Sequence, residues 1–519
     1  MTARDLVIGV DSGTQSTKVV LVDGETGEVV AAASVPHRLI EGLPPGHLEQ
    51  RAEDWFTALE EALQAALADH SADPKHIRAI GVSGQQHGLV ALDADGRVIR
   101  PAKLWCDTST AKQCEEIIAR VGGLARYIEL TGNGLPPGFT ASKLAWLKER
   151  EPANYARLRT VLLPHDYLNY RLTGLCRMEP GDASGTALLD VRRRTWCTEV
   201  IAAIDGALVE KLPSLMANDQ PCGMLRKELA DKWGLPGDVL VASGGGDNMM
   251  SAIGTGNVTD GVVTVSLGTS GTIFAYSSSP IVDPLGEIAA FCDSTGAWLP
   301  LICTMNVTVA TELTKALFGL NNEQLDSAAA RVPVGSAGLM LLPYFEGERT
   351  PNVPNGTGVW FGANRRTHTP AHFARAAMEG ATLGLNYGLR RLRELGVADE
   401  EIRLTGGGAN SAAWRRIAAD VFNRPVVCLA QTEAAAFGAA MQAAWCWQKQ
   451  RLPQLTISRL AERWIVPLEQ TRVLPNPRNA ERYARLQRLH DRLSIALRES
   501  FDMHREIALE GFEGGRAGL

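Results

Sequence analysis

One pattern occurs twice in this chain and constrains its fold more than any other. Near the N-terminus it is Val7-Ile-Gly-Val-Asp-Ser-Gly-Thr-Gln-Ser-Thr-Lys-Val-Val20, and at mid-chain Val262-Val-Thr-Val-Ser-Leu-Gly-Thr-Ser-Gly-Thr-Ile-Phe-Ala275. Each is an apolar, β-rich run, a small polar residue, Gly-Thr, a hydroxyl-rich turn and a second β run. The spacing is far too long for a solenoid repeat, so the echo predicts two domains of related topology, each offering one hydroxyl-rich hairpin. In the first copy no helix follows the glycine turn, as it would in a dinucleotide-binding βαβ unit. Asp23-Gly24 and a third run, Glu28 to Val35, extend it instead into an antiparallel meander. A turn dense in backbone N–H and hydroxyl groups suits phosphate oxygens, with Lys18 just beyond it. Asp11 adds a carboxylate that could hold a magnesium-bound water. An ordinary polar hairpin is the alternative.

The chain has 519 residues, more than one core can serve. With 45% hydrophobic and 21% charged residues it reads as globular, not disordered. A net charge of −6 without a basic stretch argues against a nucleic-acid partner. The nine cysteines form no C-x-x-C pair, so a zinc site is not indicated, and reduced thiols in a cytoplasmic protein are the simplest account. No signal-peptide pattern opens the chain, and no apolar run reaches the ~18 residues a membrane span needs.

Three glycine-rich turns carry candidate chemistry. Val239-Leu-Val-Ala242 reads as a buried strand, followed by Ser243, three glycines and Asp247, which opens a helix over Asn248-Met-Met-Ser-Ala-Ile253. Glycines let a ligand or another backbone come close, and a carboxylate there can take a proton from a substrate hydroxyl. The competing role for Asp247 is a helix N-cap. Ile77 to Val82 reads as a strand ending in Ser83-Gly-Gln-Gln-His-Gly88, which places Gln86 and His87 on a crest with donors and acceptors suited to a polyol. Gly406-Gly-Gly-Ala-Asn-Ser411 precedes a helix over Ala412 to Phe422, a plausible nucleotide cradle or simply a tight turn. Helical spacing predicts Ala52 to Leu67, Thr110 to Val121, Thr140 to Arg150, Thr308 to Phe318, Ala371 to Leu395 and Thr432 to Gln448. Asp182-Ala-Ser-Gly185 reads as a polar turn without a chemical signature of its own. Near the C-terminus Leu486, Leu489, Leu493 and Leu497 form the stripe of a docked helix, and Gly511 to Leu519 are expected to fray.

Taken in order, these segments resemble the FGGY carbohydrate kinases. The residues that carry the resemblance are Asp11 to Lys18, Ser83 to Gly88, Pro137-Gly-Phe-Thr-Ala-Ser-Lys-Leu-Ala-Trp146, Gly244 to Asn248, Ser266-Leu-Gly-Thr-Ser-Gly271, Gly347-Glu-Arg-Thr-Pro351 and Gly406 to Ser411. The resemblance implies an α/β fold of two actin-like, ribonuclease-H-like domains, mixed sheets flanked by helices, with the active site in the interdomain cleft. It implies domains at 1–256 and 257–455 and a helical extension at 456–519. ATP with Mg2+ would phosphorylate a ketopentose, D-xylulose being the expected sugar, and ribulose, gluconate and glycerol are the competitors. Asp247 matches the family's base, and Gln86, His87 and Asn248 its sugar contacts. Asp11, Gly13, Thr14, Ser16 and Lys18 match the first phosphate hairpin, and Gly268 and Thr269 the second. Gly407, Gly408 and Ser411 match the adenosine site. Asp11, through water, and Asp247 would face the metal. Trp105-Cys-Asp107 lacks the arginine that many members carry two positions after the aspartate. The expected partners are a small sugar and ATP, with a homodimer possible. An actin-like ATPase would share the hairpins without needing Gln86, His87 or Asp247.

Overall fold

A computed structural model describes residues 4–68 and 73–515, with side chains described to residue 508. The chain divides into two compact units. The first comprises residues 1–260, 276–300 and 433–466, and the second 261–275, 301–432 and 467–519. The chain thus passes between units several times, which differs from a division in chain order at 256 and 455.

The first unit is built on a mixed sheet. Its order is Pro221–Met224, Leu240–Ala242, Ile77–Gly84, Leu6–Ser12, Ser16–Asp23, Val29–Pro36, with Gly245–Gly246 also pairing Ile77–Gly84. Leu6–Ser12, Ser16–Asp23 and Val29–Pro36 form the expected antiparallel meander, while Ile77–Gly84 runs parallel to Leu6–Ser12 and to Leu240–Ala242. Side chains alternate across the sheet. Leu6, Ile8 and Val10 join Trp55, Leu59 and Leu63 of the helix Ala52–Leu67 in one buried cluster. The opposite face carries Gly9 and its cross-strand neighbour Gly81. There the helix Ala434–Lys449 lies directly on the backbone: a Cβ would fall 1.9 Å from the Ala436 carbonyl oxygen at Gly9 and 2.0 Å from that of Ala439 at Gly81. The alanine-rich composition of this helix has its reason here, and this contact places it in the first unit. Its Gly438 meets the helix Asp247–Gly254 in the same way, since a Cβ would sit 1.8 Å from the Met250 carbonyl oxygen.

The second unit repeats the plan. Trp298–Thr304, Gly271–Ala275 and Gly261–Leu267 pair antiparallel in turn, and Asp399–Thr405 and Val426–Cys428 add parallel strands beyond Gly261–Leu267. Read outward from the meander, both sheets run antiparallel, antiparallel, parallel, parallel. The echo in sequence is therefore an echo in topology.

Several helices begin and end where spacing placed them, among them Ala52–Leu67, Thr140–Arg150, Thr308–Phe318 and Ala412–Phe422. Three readings are corrected. Asp182 belongs to a short helix, Pro180–Ser184, not to a free turn. The helix Pro477–Ala496 docks with Leu493 and, just beyond it, Leu497 packed against buried Leu342, Tyr344 and Phe501, but its most buried residues are Tyr483, Gln487, His490 and Ser494, and Leu489 is 38% exposed. Buried polar groups of the body select that face: Tyr483 donates to Glu379 Oε1 at 2.6 Å, and Gln487 accepts from Asn386 at 2.9 Å. The last helix continues from Arg498 to Gly515 where fraying was expected, and residues 516–519 lie outside the described residues.

Candidate active site

Strand register brings the first unit's candidate residues together. Asp11 is paired with Lys18 across the hairpin and with Ser83 on the parallel strand, and Ser83 is in turn paired with Gly245. Three neighbouring parallel strands therefore end in one row, the place where open α/β sheets bind ligands. Ser83 Oγ donates to Asp11 Oδ1 at 2.8 Å. Asp247 follows Gly246 directly as the first residue of its helix, and Gly246 holds the cap position. Asp247 is thus not the N-cap. Its Oδ1 accepts from the Asn248 backbone N–H at 2.8 Å and from Asn248 Nδ2 at 3.1 Å. Asn248 Nδ2 also donates to Gln86 Oε1 at 2.8 Å, which ties the crest to the Asp247 turn. Gln86 Nε2 is buried without a hydrogen-bond partner among the described residues.

Burial, then the neighbouring carboxylates Asp11 and Asp182, push the Asp247 carboxyl up to about 7. Burial likewise raises Asp11 to about 6, against the Ser83 hydrogen bond and the charge of Lys18. Lys18 Nζ lies 2.5 Å from Glu433 Oε2. Two half-buried acids raised toward neutrality, Asp247 in part by the charge of Asp11, are suited to proton exchange near neutral pH, and an all-oxygen donor set fits a hard cation such as Mg2+.

His87 has a left-handed backbone, φ 64°, which costs a non-glycine residue about 1 kcal/mol or more. Contacts at its ring nitrogen, its carbonyl and its ring face hold it there. Its Nδ1–H donates to the Gly185 carbonyl at 2.8 Å. Its own carbonyl accepts from Lys143 Nζ at 2.6 Å and from Thr140 Oγ1 at 3.1 Å. Its ring stacks on Phe139 with centroids 4.3 Å apart. Lys143 also donates to the Gly138 carbonyl at 2.6 Å, and burial pushes its ammonium down to about 7.

In the first hairpin, Gly13 N–H closes the turn on the Ser16 carbonyl at 3.1 Å. The Thr14 hydroxyl is engaged by Gln85 and Trp105, and Ser16 is half-buried. In the second unit, Gly268 and Thr269 accept through their carbonyls from Thr308 and Val307 N–H at 2.9 and 3.0 Å. A Cβ on Gly406 would lie 2.7 Å from the Leu267 carbonyl carbon, and one on Gly408 2.9 Å from the Leu267 Cβ. The hairpin turn and the Gly406–Gly408 turn are therefore adjacent, with Gly407 exposed. Ser411 caps the helix Ala412–Phe422, accepting from Trp414 N–H at 2.9 Å, and its hydroxyl donates to Asp326.

Sequence reasoning missed a buried group behind the triple glycine. His165 Nδ1 lies 2.5 Å from Asp182 Oδ2, and its Nε2 is 3.1 Å from Asp166 Oδ1. Burial works against the His165 cation, but Asp166 and Asp182 outweigh it and hold the ring up at about 9. Asp182 Oδ1 would lie 3.0 Å from a Cβ at Gly246. Asp182 itself was visible as a turn residue, but no sequence signal ties it to Gly246.

Models of the FGGY family of carbohydrate kinases match the chain twice, the N-terminal domain over residues 6–254 and the C-terminal domain over 263–447. The chain is 43% identical over 446 residues to the xylulose kinase of Haemophilus influenzae, covering 85% of this chain and 90% of that one. The xylulose kinase structure of Bifidobacterium adolescentis superposes with a TM-score of 0.79 at 32% identity, covering 93% and 99% of the two chains. The gluconate kinase structure of Lactobacillus acidophilus gives 0.88 at 25% identity, covering 97% and 100%. This chain belongs to the FGGY family of carbohydrate kinases.

Proposed function

We propose that the chain transfers the γ-phosphoryl group of ATP to D-xylulose, giving D-xylulose 5-phosphate, with Asp247 as general base. The observation that carries this reading is the row of strand ends that sets Asp247, Asp11 and the Gln86–Asn248 pair side by side. Gln86 Nε2, a buried donor without a partner among the described residues, is available to a sugar oxygen. His87 and Asn248 complete the sugar's contacts. Asp247 accepts the proton of the terminal hydroxyl as that oxygen bonds to phosphorus and ADP leaves. Positioning carries most of such a reaction, and the base contributes about 10²–10⁴ in rate. The turns at Gly13–Lys18, Gly268–Thr269 and Gly407–Gly408 hold the nucleotide through backbone groups. Asp11, through water, and Asp247 would hold Mg2+, whose charge offsets that of the polyphosphate. The choice of D-xylulose rests on the relatives' names, since a gluconate kinase shares the fold. Nine free cysteines are consistent with a cytoplasmic enzyme. Among the described residues no helix is long and apolar enough to cross a membrane.

The test is ADP release measured over a panel of ketopentoses, polyols and aldonates. D-Xylulose should give the highest kcat/KM. A higher value for gluconate, ribulose or glycerol would replace the sugar and keep the chemistry, whereas ADP release that no sugar stimulates would leave an actin-like ATPase.

A further inference from the structure

Two buried glutamines, Gln50 and Gln85, each about 1% exposed, join the phosphate turn to the sugar crest. Trp55 Nε1–H, which can only donate, points at one atom of the Gln50 amide at 3.0 Å, so that atom is the oxygen. The Gln50 nitrogen is then the atom 2.7 Å from the Thr14 carbonyl, and it donates. The Gln85 atom 2.9 Å from Gln50 Oε1 must be its nitrogen. The Gln85 oxygen therefore faces the Thr14 hydroxyl at 3.3 Å, and the hydroxyl donates to it. That hydroxyl's lone pair accepts from Trp105 Nε1–H at 3.0 Å, again a group that can only donate. Two indole N–H groups thus fix every proton in a closed ring through Gln50, Gln85 and both the main chain and side chain of Thr14. One consequence is that the Thr14 hydroxyl hydrogen is committed inward, so at this residue the turn presents backbone to phosphate.

We propose that this ring is a positioning device: Gln50 and Gln85 hold the phosphate turn at a fixed offset from the crest of Gln86 and His87, so that the γ-phosphoryl meets the sugar hydroxyl and not water. The proposal rests on the kinase reading above. An offset of about 1 Å between reacting groups costs on the order of 10² in rate, whereas water, being mobile, attacks a displaced phosphoryl group as readily as a placed one. In both outcomes the bond from the γ-phosphorus to the bridging oxygen breaks and ADP leaves. The new bond is to the sugar oxygen, with its proton on Asp247, or to water, giving inorganic phosphate.

The test compares sugar phosphate formed with ADP released, at saturating ATP and saturating levels of the sugar the wild type prefers. The wild type should give a ratio near one. Gln50→Leu, close in volume but without the amide, should lower sugar-phosphate formation by roughly 10–100-fold. The ratio should fall clearly below the wild-type value, because hydrolysis continues while transfer slows, with sugar KM within about threefold. Gln85→Leu should do the same, and the double variant should be no worse than either single one, because both break one ring. Slower variants that keep a ratio of one would overturn the proposal, as would additive losses. Thr14→Val keeps the backbone and the volume but removes the hydroxyl that closes the ring on Gln85, and must also lower the ratio. It decides the matter if a glutamine variant fails to fold, and a ratio of one there would refute the device. A wild type with no sugar-stimulated ADP release would instead sink the kinase reading, and it is recognised before any variant is made.

Discussion

At residue 247 a carboxyl is kept where ionising it is unfavourable, and that has a cost in stability with a definite sign. The carboxyl is pushed up to about 7 from an ordinary 3.8. Below pH ~4 both folded and unfolded chains hold this proton and nothing is lost. Between pH 4 and 7 the unfolded chain ionises while the folded one resists, so stability declines, and above pH 7 the full cost is present. Asp247→Asn should therefore raise the melting temperature at pH 8, by at least about 1 kcal/mol in stability, and leave it nearly unchanged at pH 4. An equal shift at both pH values would contradict this. His87→Ala should raise sugar KM at least about tenfold with ATP KM unchanged. A raised ATP KM instead would remove His87 from the sugar site. Asp247, Gln86 and His87 were legible as candidate site residues because glycine flanks them. His165 and Asp182 were not, because their role arises only when a short helix is brought against Gly246.

Among the elements, the helix Ala434–Lys449 has the narrowest tolerance. Gly438→Ala drives a methyl group into the Met250 carbonyl, and overpacking of this kind costs about 1–3 kcal/mol. A drop of several degrees in melting temperature is expected, and an unchanged value would show that the two helices are not in backbone contact. The helix Pro477–Ala496 makes the opposite case. Tyr483→Phe leaves Glu379 and Arg375 short of a partner and should cost about 1–3 kcal/mol, measured by denaturant unfolding. Helix limits could be read from spacing and composition, since apolar periodicity, proline and glycine act locally. The face by which the helix Pro477–Ala496 docks could be read only in part. Leu493 and Leu497 of its stripe do pack on the body, but the polar residues that satisfy buried Glu379 and Asn386 share that face, and Leu489 is left exposed.

At the scale of the whole molecule, the echo between Val7–Val20 and Val262–Ala275 foretold two sheets with the same sequence of strand directions. What it could not foretell is that the first unit recovers residues 433–466 from late in the chain. That return depends on Gly9 and Gly81 offering bare backbone to a helix more than 350 residues away in the chain. Each turn proposed to hold the nucleotide lies at the tip of a repeated meander or beside it. The most direct measurement is turnover of D-xylulose by Asp247→Asn beside a titration of sugar binding to the same protein. The account predicts sugar affinity within about threefold of wild type and kcat lower by roughly 10²–10⁴. Near wild-type kcat in that variant would contradict it.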